Sequence, residues 1–490
     1  MGEKARLVAR GAARVLPWLV LAAGAGIRVA QYLNGRSLWL DEVSVAVNIV
    51  RRSPAGLFEP LKNAVAPPLF AVLVKVFVLL FGPVELALRA VPLLASLASL
   101  LLLWKLAERL LPRGFAALAL AFLAFAYPHV FYAQELKQYS TDVAMALLLV
   151  VVLAAPAPSF SWRRSVGWGL LGAIAPWLSF PSVFVLGGAG LMLAVSWIRK
   201  PDRKALAGLA VTAALWAAGL AGFYAVVVRR LPRLGNLQGY WNEAFLPWPV
   251  GAGELTRLWD ALCGSAVYFG FAYSTLYLVL LLATVGTAAL WRDRPRPARM
   301  MLFTALLAYL ASALRRYPLD ERLALYLSPF LYLAVGAGAA VLCRGRRAAL
   351  GAALSVALLA PFLALNGPLW REPIRREEIK PLLSILERRL EPDDYIALYY
   401  KARQPFYFYW TRYKLGSPER VIPGPDREKA LDLPPDKLAG RRVWVLISHV
   451  PEDQEYRVFR EMPEGMDRLE SYREYGASLH LYRFPEMPAP

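Results

Sequence analysis

The sequence predicts an α-helical polytopic membrane protein that carries a small α/β domain at its C-terminal end. Two observations carry this fold class. Hydrophobic residues make up 58% of the 490, more than a soluble globule buries, and apolar segments of membrane-crossing length recur as far as about Asn366. From Gly367 the composition turns charged and proline-rich. The chain is therefore divided into residues 1–366, the membrane part, and 367–490, a soluble domain.

Lys and Arg number 56 against 36 Asp and Glu, a formal net charge of +20. The basic residues punctuate apolar spans and form no continuous face, which points to cytoplasmic loops and anionic membrane lipid as partners, and not to nucleic acid. The two cysteines, Cys263 and Cys343, fall at opposite membrane faces in the topology below, so no disulfide is expected. His129, His449 and His480 are scattered without a zinc-ligand spacing.

The first apolar stretch, Val15 to Leu33, follows a basic start with no small-residue cleavage site behind it, and reads as a retained span. Basic clusters then occur at Lys105/Arg109/Arg113, Arg163/Arg164, Arg199/Lys200/Arg203/Lys204, Arg292/Arg294/Arg296/Arg299 and Arg344/Arg346/Arg347. Each lies in a short connection, so the positive-inside rule puts them and the basic N-terminus in the cytoplasm. Pro67 to Phe81 opens with Pro-Pro, carries Lys75 and reaches only ~22 Å at ~1.5 Å per residue, so it reads as a re-entrant or interfacial helix. About eleven spans remain, which places the C-terminal domain outside a bacterial-type plasma membrane. In that domain "REEIKPLLSILERRL" has helical spacing; "DYIALYY", "RVWVLIS" and "SLHLYRF" read as strands, with "DQEYRVFREM" a helix before the last. No Gly-rich phosphate loop is present, so no nucleotide chemistry is assigned.

This topology sets "RSLWLDE" just past the first span on the outer side, where Asp41 and Glu42 follow an apolar approach containing Trp39. An acidic pair can simply mark a solvated helix start, but carboxylates held against a membrane are commonly functional. Adjacent side chains diverge on a helix or a strand, so the two are one base and one helper, not a facing pair. The outer connections also hold cations: Arg89, Lys137, Arg229, Arg230, Arg233, Arg315, Arg316 and Arg322. Any one of them serves as an interfacial anchor; together they suit a lipid phosphate, for which Arg offers forked donors. Tyr240, Trp241 and Trp248 of "GYWNEAFLPWP" suit either a sugar or an interfacial aromatic belt.

At these residues the chain resembles the polyprenyl-phosphate-sugar-dependent membrane glycosyltransferases of the C-type (GT-C) fold, in the branch of protein O-mannosyltransferases and lipid A aminoarabinose transferases, glycosyltransferase family 39-like. "SLWLDE" resembles the branch's acidic motif. "APPLFAVLVKVFVLLFG" with "ELALRAVP" resembles its Pro-Pro segment and following Arg, "YAQELKQYS" its second outer-loop motif, and "RRYPLDERLALYLSPFL" its late loop. Ala66 and Lys137 stand where that branch often has His or Lys, and Arg.

The resemblance implies an inverting hexosyl- or pentosyltransferase that moves a sugar from a polyprenyl-phosphate donor to a hydroxyl of a lipid, glycan or protein acceptor. Asp41 would be the general base, and Glu42 would orient the acceptor. Arg89, Lys137, Tyr139, Arg315, Arg316 and Tyr317 would hold the lipid phosphate. No cofactor is implied with certainty, and a divalent metal on Asp41 and Glu42 is left open. The competing reading is a transporter or flippase of a lipid-linked sugar, which expects polar groups at mid-membrane and related halves. A non-catalytic scaffold would leave the Asp41/Glu42 placement unexplained.

Overall fold

The computed structural model describes residues 3–155, 161–199, 201–230, 241–248, 251–343, 348–425, 431–450, 455–459, 462 and 465–486. Lys200, Arg233, Tyr240, Arg344, Arg346 and Arg347 lie outside the described residues. The chain forms two compact units, one of residues 1–34, 52–61 and 65–373, the other of residues 35–51, 62–64 and 374–490. The expected division at 366 falls inside a helix that continues to Arg371.

The helices, in chain order, are α1 Glu3–Leu33, α2 Leu40–Arg51, α3 Pro68–Phe81, α4 Glu85–Leu110, α5 Arg113–Phe125, α6 Tyr127–Ala133, α7 Tyr139–Leu153, α8 Trp162–Leu178 and α9 Ser182–Arg199. They continue with α10 Arg203–Val226, α11 Ala252–Tyr268, α12 Leu276–Asp293, α13 Pro295–Ala313, α14 Ser328–Leu342 and α15 Ala348–Arg371. In the C-terminal region follow α16 Ile379–Arg389, α17 Arg403–Tyr409 and α18 Glu455–Phe459.

All of these up to α15 except α2 belong to the first unit. Among the described residues seven helical stretches are long and apolar enough to cross a membrane, or eight if the bent pair α5–α6 is one span. That is fewer than the eleven expected. The difference lies in α7 and α8, with 15 and 17 residues, and in α13, whose start carries Arg296 and Arg299. The Pro-Pro segment is the 14-residue helix α3, short for a span as expected. Helix α11 follows the "GYWNEAFLPWP" stretch; its Glu254, Arg257 and Asp260 interrupt the apolar pattern. The protein is an integral membrane protein. Its first unit leaves Trp18, Leu79, Leu80 and Tyr277 exposed, the pattern of a surface solvated by lipid.

Inside that unit, Phe122, Phe271, Tyr332 and Phe362 pack ring against ring with centroids 4.9–5.9 Å apart. Helix α5 breaks at Ala126 and α6 leaves at 54°. The break frees carbonyls that have no water to turn to, and Arg28 of α1 collects them. Its guanidinium donates to Leu123 O at 2.8 Å, Ala124 O at 2.7 Å and Gly24 O at 2.9 Å, and to Ser96 Oγ at 2.8 Å. On the far side of the break the Asn366 amide accepts from Tyr127 N and donates to Gly270 O and Phe362 O, all at 2.8 Å. A deeply buried charge is tolerable here because every nitrogen of it is used.

The second unit is a five-stranded sheet of β1 Tyr395–Leu398, β2 Val421–Pro423, β3 Arg442–Ser448, β4 Asp467–Glu474 and β5 Ala477–Arg483, in the order β2-β1-β3-β5-β4. β1 is parallel to β2 and β3, while β5 runs antiparallel to β3 and to β4. β3 and β5 are buried on both faces, consistent with their near-continuous apolar runs. Trp444 at the centre of β3 donates its indole N–H to Asp394 at 2.8 Å. Helix α2 belongs to this unit although it follows α1 in the sequence.

Candidate active site

Helix α2 presents the acidic pair in its first turn. Trp39 is the N-cap, since its carbonyl accepts from Val43 N at 2.9 Å, which makes Leu40, Asp41 and Glu42 the first three helical positions. Glu42 turns back: its carboxylate accepts from Trp39 N at 3.4 Å and pairs with Arg36 at 3.1 Å. This is the return half of a capping box. Glu42 is fully buried, whereas Asp41 is half-exposed, as the divergence of neighbouring side chains requires. Glu42 is thereby committed to Arg36. Among the described residues no group of three or more His, Cys, Asp or Glu side chains could hold a metal.

The segment 35–42 lies along the carboxyl ends of the parallel strands. In open α/β sheets a ligand crevice forms at that edge where neighbouring connections diverge, as they do here after β1 and β3. Leu38 N donates to the buried Tyr409 hydroxyl of α17 at 2.9 Å, and Ser44 Oγ meets Gln404 at 2.9 Å. Trp39 stacks on His449, with centroids 6.0 Å apart and planes at 13°. His449 follows β3 with φ of 61°, a left-handed backbone that costs a non-glycine residue about 1–2 kcal/mol. Its N–H bonds Gly476 O at 3.1 Å, holding it in that conformation.

The phosphate candidates all lie in the first unit. Arg89 is buried in α4, one turn from the buried Glu85. Lys137 is half-buried in the connection between α6 and α7, and Tyr139 opens α7. Tyr139 packs edge-on against Tyr132 at 4.8 Å, and the Tyr132 hydroxyl meets that of Tyr268 at 3.0 Å. The late-loop group divides. Arg315 and Arg316 are exposed, Arg315 donating to Asn242 at 3.0 Å. Tyr317 turns inward, its ring 5.0 Å from Phe184 and its hydroxyl donating to Leu323 O at 3.0 Å.

Solved structures similar to this one are membrane enzymes. No protein-family model and no curated protein sequence matches the chain. ArnT of Cupriavidus metallidurans, a lipid A aminoarabinose transferase, matches in its apo state and bound to undecaprenyl phosphate. In both cases the match covers 94% of this chain and 97% of that chain, at 15% identity and a TM-score of 0.52. The Archaeoglobus fulgidus oligosaccharyltransferase matches over 76% of this chain and 55% of its own, at 14% identity and a TM-score of 0.50. The chain has the GT-C fold.

In this GT-C chain Arg322, one of the outer cations read from the sequence, and Asp142, which was not singled out there, join the Tyr139 region. Arg322 stands over the ring of Tyr139 at 5.8 Å and over that of Trp241 at 5.2 Å. It links the second and late outer-loop motifs to "GYWNEAF". Asp142, in the first turn of α7, is buried within electrostatic reach of Tyr317 and Tyr326. Its Oδ1, together with Thr141 Oγ1 and the Tyr326 hydroxyl, has no hydrogen-bond partner among the described residues. A signal was present in both cases: Asp142 stands directly ahead of an apolar run of membrane type, and Arg322 falls inside the late-loop motif.

Proposed function

We propose that the protein is an inverting glycosyltransferase that takes a sugar from a polyprenyl-phosphate donor and adds it to an acceptor hydroxyl on the extracytoplasmic side of the membrane. The observation that carries this reading is the half-exposed Asp41 beside the buried Glu42, at the head of a helix in a chain of GT-C fold. Asp41 takes the proton of the acceptor hydroxyl, and the oxygen attacks the anomeric carbon. The bond from that carbon to the phosphate oxygen breaks, and the lipid phosphate leaves with the electron pair. Arg89, Lys137 and Arg322 neutralise the phosphate and the Tyr139 hydroxyl helps to bind it, while Tyr317, whose hydroxyl proton goes to Leu323 O, shapes the surroundings. Arg315 and Arg316, being exposed, serve its entry. Glu42 acts through Arg36 to fix the turn that presents Asp41. Undecaprenyl phosphate on the ArnT neighbour supports a polyprenyl donor.

The test is release of polyprenyl phosphate from a panel of polyprenyl-phosphate sugars by the purified, reconstituted protein. Asp41→Asn should keep donor binding and lose turnover by about 10²- to 10⁴-fold, the usual contribution of a positioned base. Wild-type turnover in that variant removes Asp41 from the mechanism. Headgroup binding without release, alongside lipid movement in a flipping assay, would instead establish the transport reading.

A further inference from the structure

Three consecutive residues ahead of α16 each engage the loop that carries Asp41. The Arg376 guanidinium lies 4.3 Å from the centre of the Trp39 ring, on which His449 also stacks. One Glu377 oxygen accepts from Leu40 N at 3.2 Å, and the other meets His449 Nδ1. One Glu378 oxygen accepts from both Ser37 N at 3.2 Å and Ser37 Oγ at 3.0 Å. Lys380 continues the series, its N–H donating to Ser37 Oγ at 3.1 Å and its ammonium to Gly35 O at 2.5 Å.

The chemistry of these contacts is specific to a helix start. The first amides of a helix have no intrahelical acceptor. In α2 the Trp39 and Leu40 amides find carboxylates, one from Glu42 in the same helix and one from Glu377, more than three hundred residues away in sequence. Glu378 then fixes Ser37 on the other side of Trp39. Both acids are buried with little exposure, which strengthens charge-assisted bonds to amides. Fixing the amides on both sides of Trp39, and the Trp39 ring itself, leaves the direction of the Asp41 side chain little freedom. The left-handed backbone of His449 fits the same purpose, since it turns the imidazole onto Trp39 and Glu377.

We infer that Glu377 and Glu378 are positioning residues for Asp41, and that the C-terminal α/β unit serves the reaction as a clamp on the base-carrying loop. The inference rests on the reading of Asp41 as the base. Catalysis tolerates little displacement of a base, and losing the clamp costs turnover without touching the donor.

Two measurements on the full-length reconstituted protein test it. Glu378→Ala should lower kcat about 10- to 100-fold with the donor KM unchanged. Glu378→Gln, whose amide oxygen still accepts from Ser37, should recover most of the loss. Combined with Asp41→Asn, Glu378→Ala should lower the residual rate no further, because the two act through one group. Hydrogen exchange of the wild type and Glu378→Ala reads the clamp without catalysis: the 36–44 segment should exchange at least about ten times faster, with β3 unchanged. Arg376→Ala, which leaves every carboxylate in place, should give a smaller change in the same segment.

Unchanged exchange at 36–44 would overturn the clamp, and faster exchange there with full turnover would overturn the positioning role. Faster exchange throughout β3, or a loss from Glu378→Ala that is as large in the Asp41→Asn background as in the wild type, would reduce Glu378 to a stability residue. Full turnover by Asp41→Asn is the separate failure of the transferase reading.

Discussion

Asp41 and Glu42 share a peptide bond but have opposite surroundings. Sequence periodicity is enough to say that their side chains diverge. Which of them turns inward depends on Arg36, six residues back from Glu42, and only the folded loop joins those two. Another carboxylate in the same unit shows how partners decide a charge. Glu455 of α18 accepts from Ser478 Oγ, lies 3.3 Å from His480 Nε2 and pairs with Arg473 at 3.0 Å. Burial alone would raise its carboxyl, but the hydrogen bonds from His480 and Ser478 and the charges of His480 and Arg473 outweigh it and hold the group below its ordinary value. A carboxyl depressed by folding stabilises the fold above its unfolded pKa, and that contribution disappears as pH falls through the folded value. Glu455→Gln should therefore lower the melting temperature of the second unit at neutral pH. It should also flatten the decline of melting temperature below about pH 4.5, read from a pH series of melts. Composition gave no sign of this pairing, because His480 sits in an apolar strand pattern and its acid 25 residues earlier.

The helices and strands were legible to different degrees, for physical reasons. Long apolar runs located the membrane helices, and the buried strands β1, β3 and β5 showed as apolar segments. β2 escaped because it is three residues long and ends in Pro423. β4 escaped because it is an edge strand whose exposed, charged side chains carry no apolar alternation. How helices pack was not legible at all, and one pair shows what sets the spacing. α12 and α14 approach through Gly286 and Gly338: a Cβ on Gly286 would stand 1.8 Å from Ala334 O, and one on Gly338 2.0 Å from Leu282 O. Small residues let membrane helices bring their backbones together, where packing supplies most of the attraction. Gly286→Leu should cost about 1–3 kcal/mol or more as the helices are forced apart. The control is Gly114→Leu, where nothing stands within 4 Å. Unfolding titrations of both in detergent check the difference, and equal midpoints would mean that the close approach does not bear on stability.

For the molecule as a whole, the alternation of basic and non-basic connections suggested a sequence of crossings, but seven or eight helical stretches among the described residues reach crossing length where it implied eleven. It left open that the second unit draws on two distant stretches of chain. The orientation it implies is open to direct test. With the free thiols Cys263 and Cys343 replaced by Ser, a cysteine at Asp467, exposed on β4, should react with an impermeant thiol reagent added to intact cells. One at Lys204, exposed at the start of α10, should react only after permeabilisation. The reverse pattern would invert the topology.

The divided origin of the second unit also imposes a timetable. Residues 35–51 leave the ribosome early, while the strands and carboxylates that hold them begin only at Ile374. At about 5–20 residues per second the interval is some tens of seconds. Throughout it the growing chain carries Asp41 on a loop whose Glu377 and Glu378 partners have yet to be made. The second unit can close only when residues from Ile374 onward have been made and have folded around a segment that has been waiting since early in synthesis.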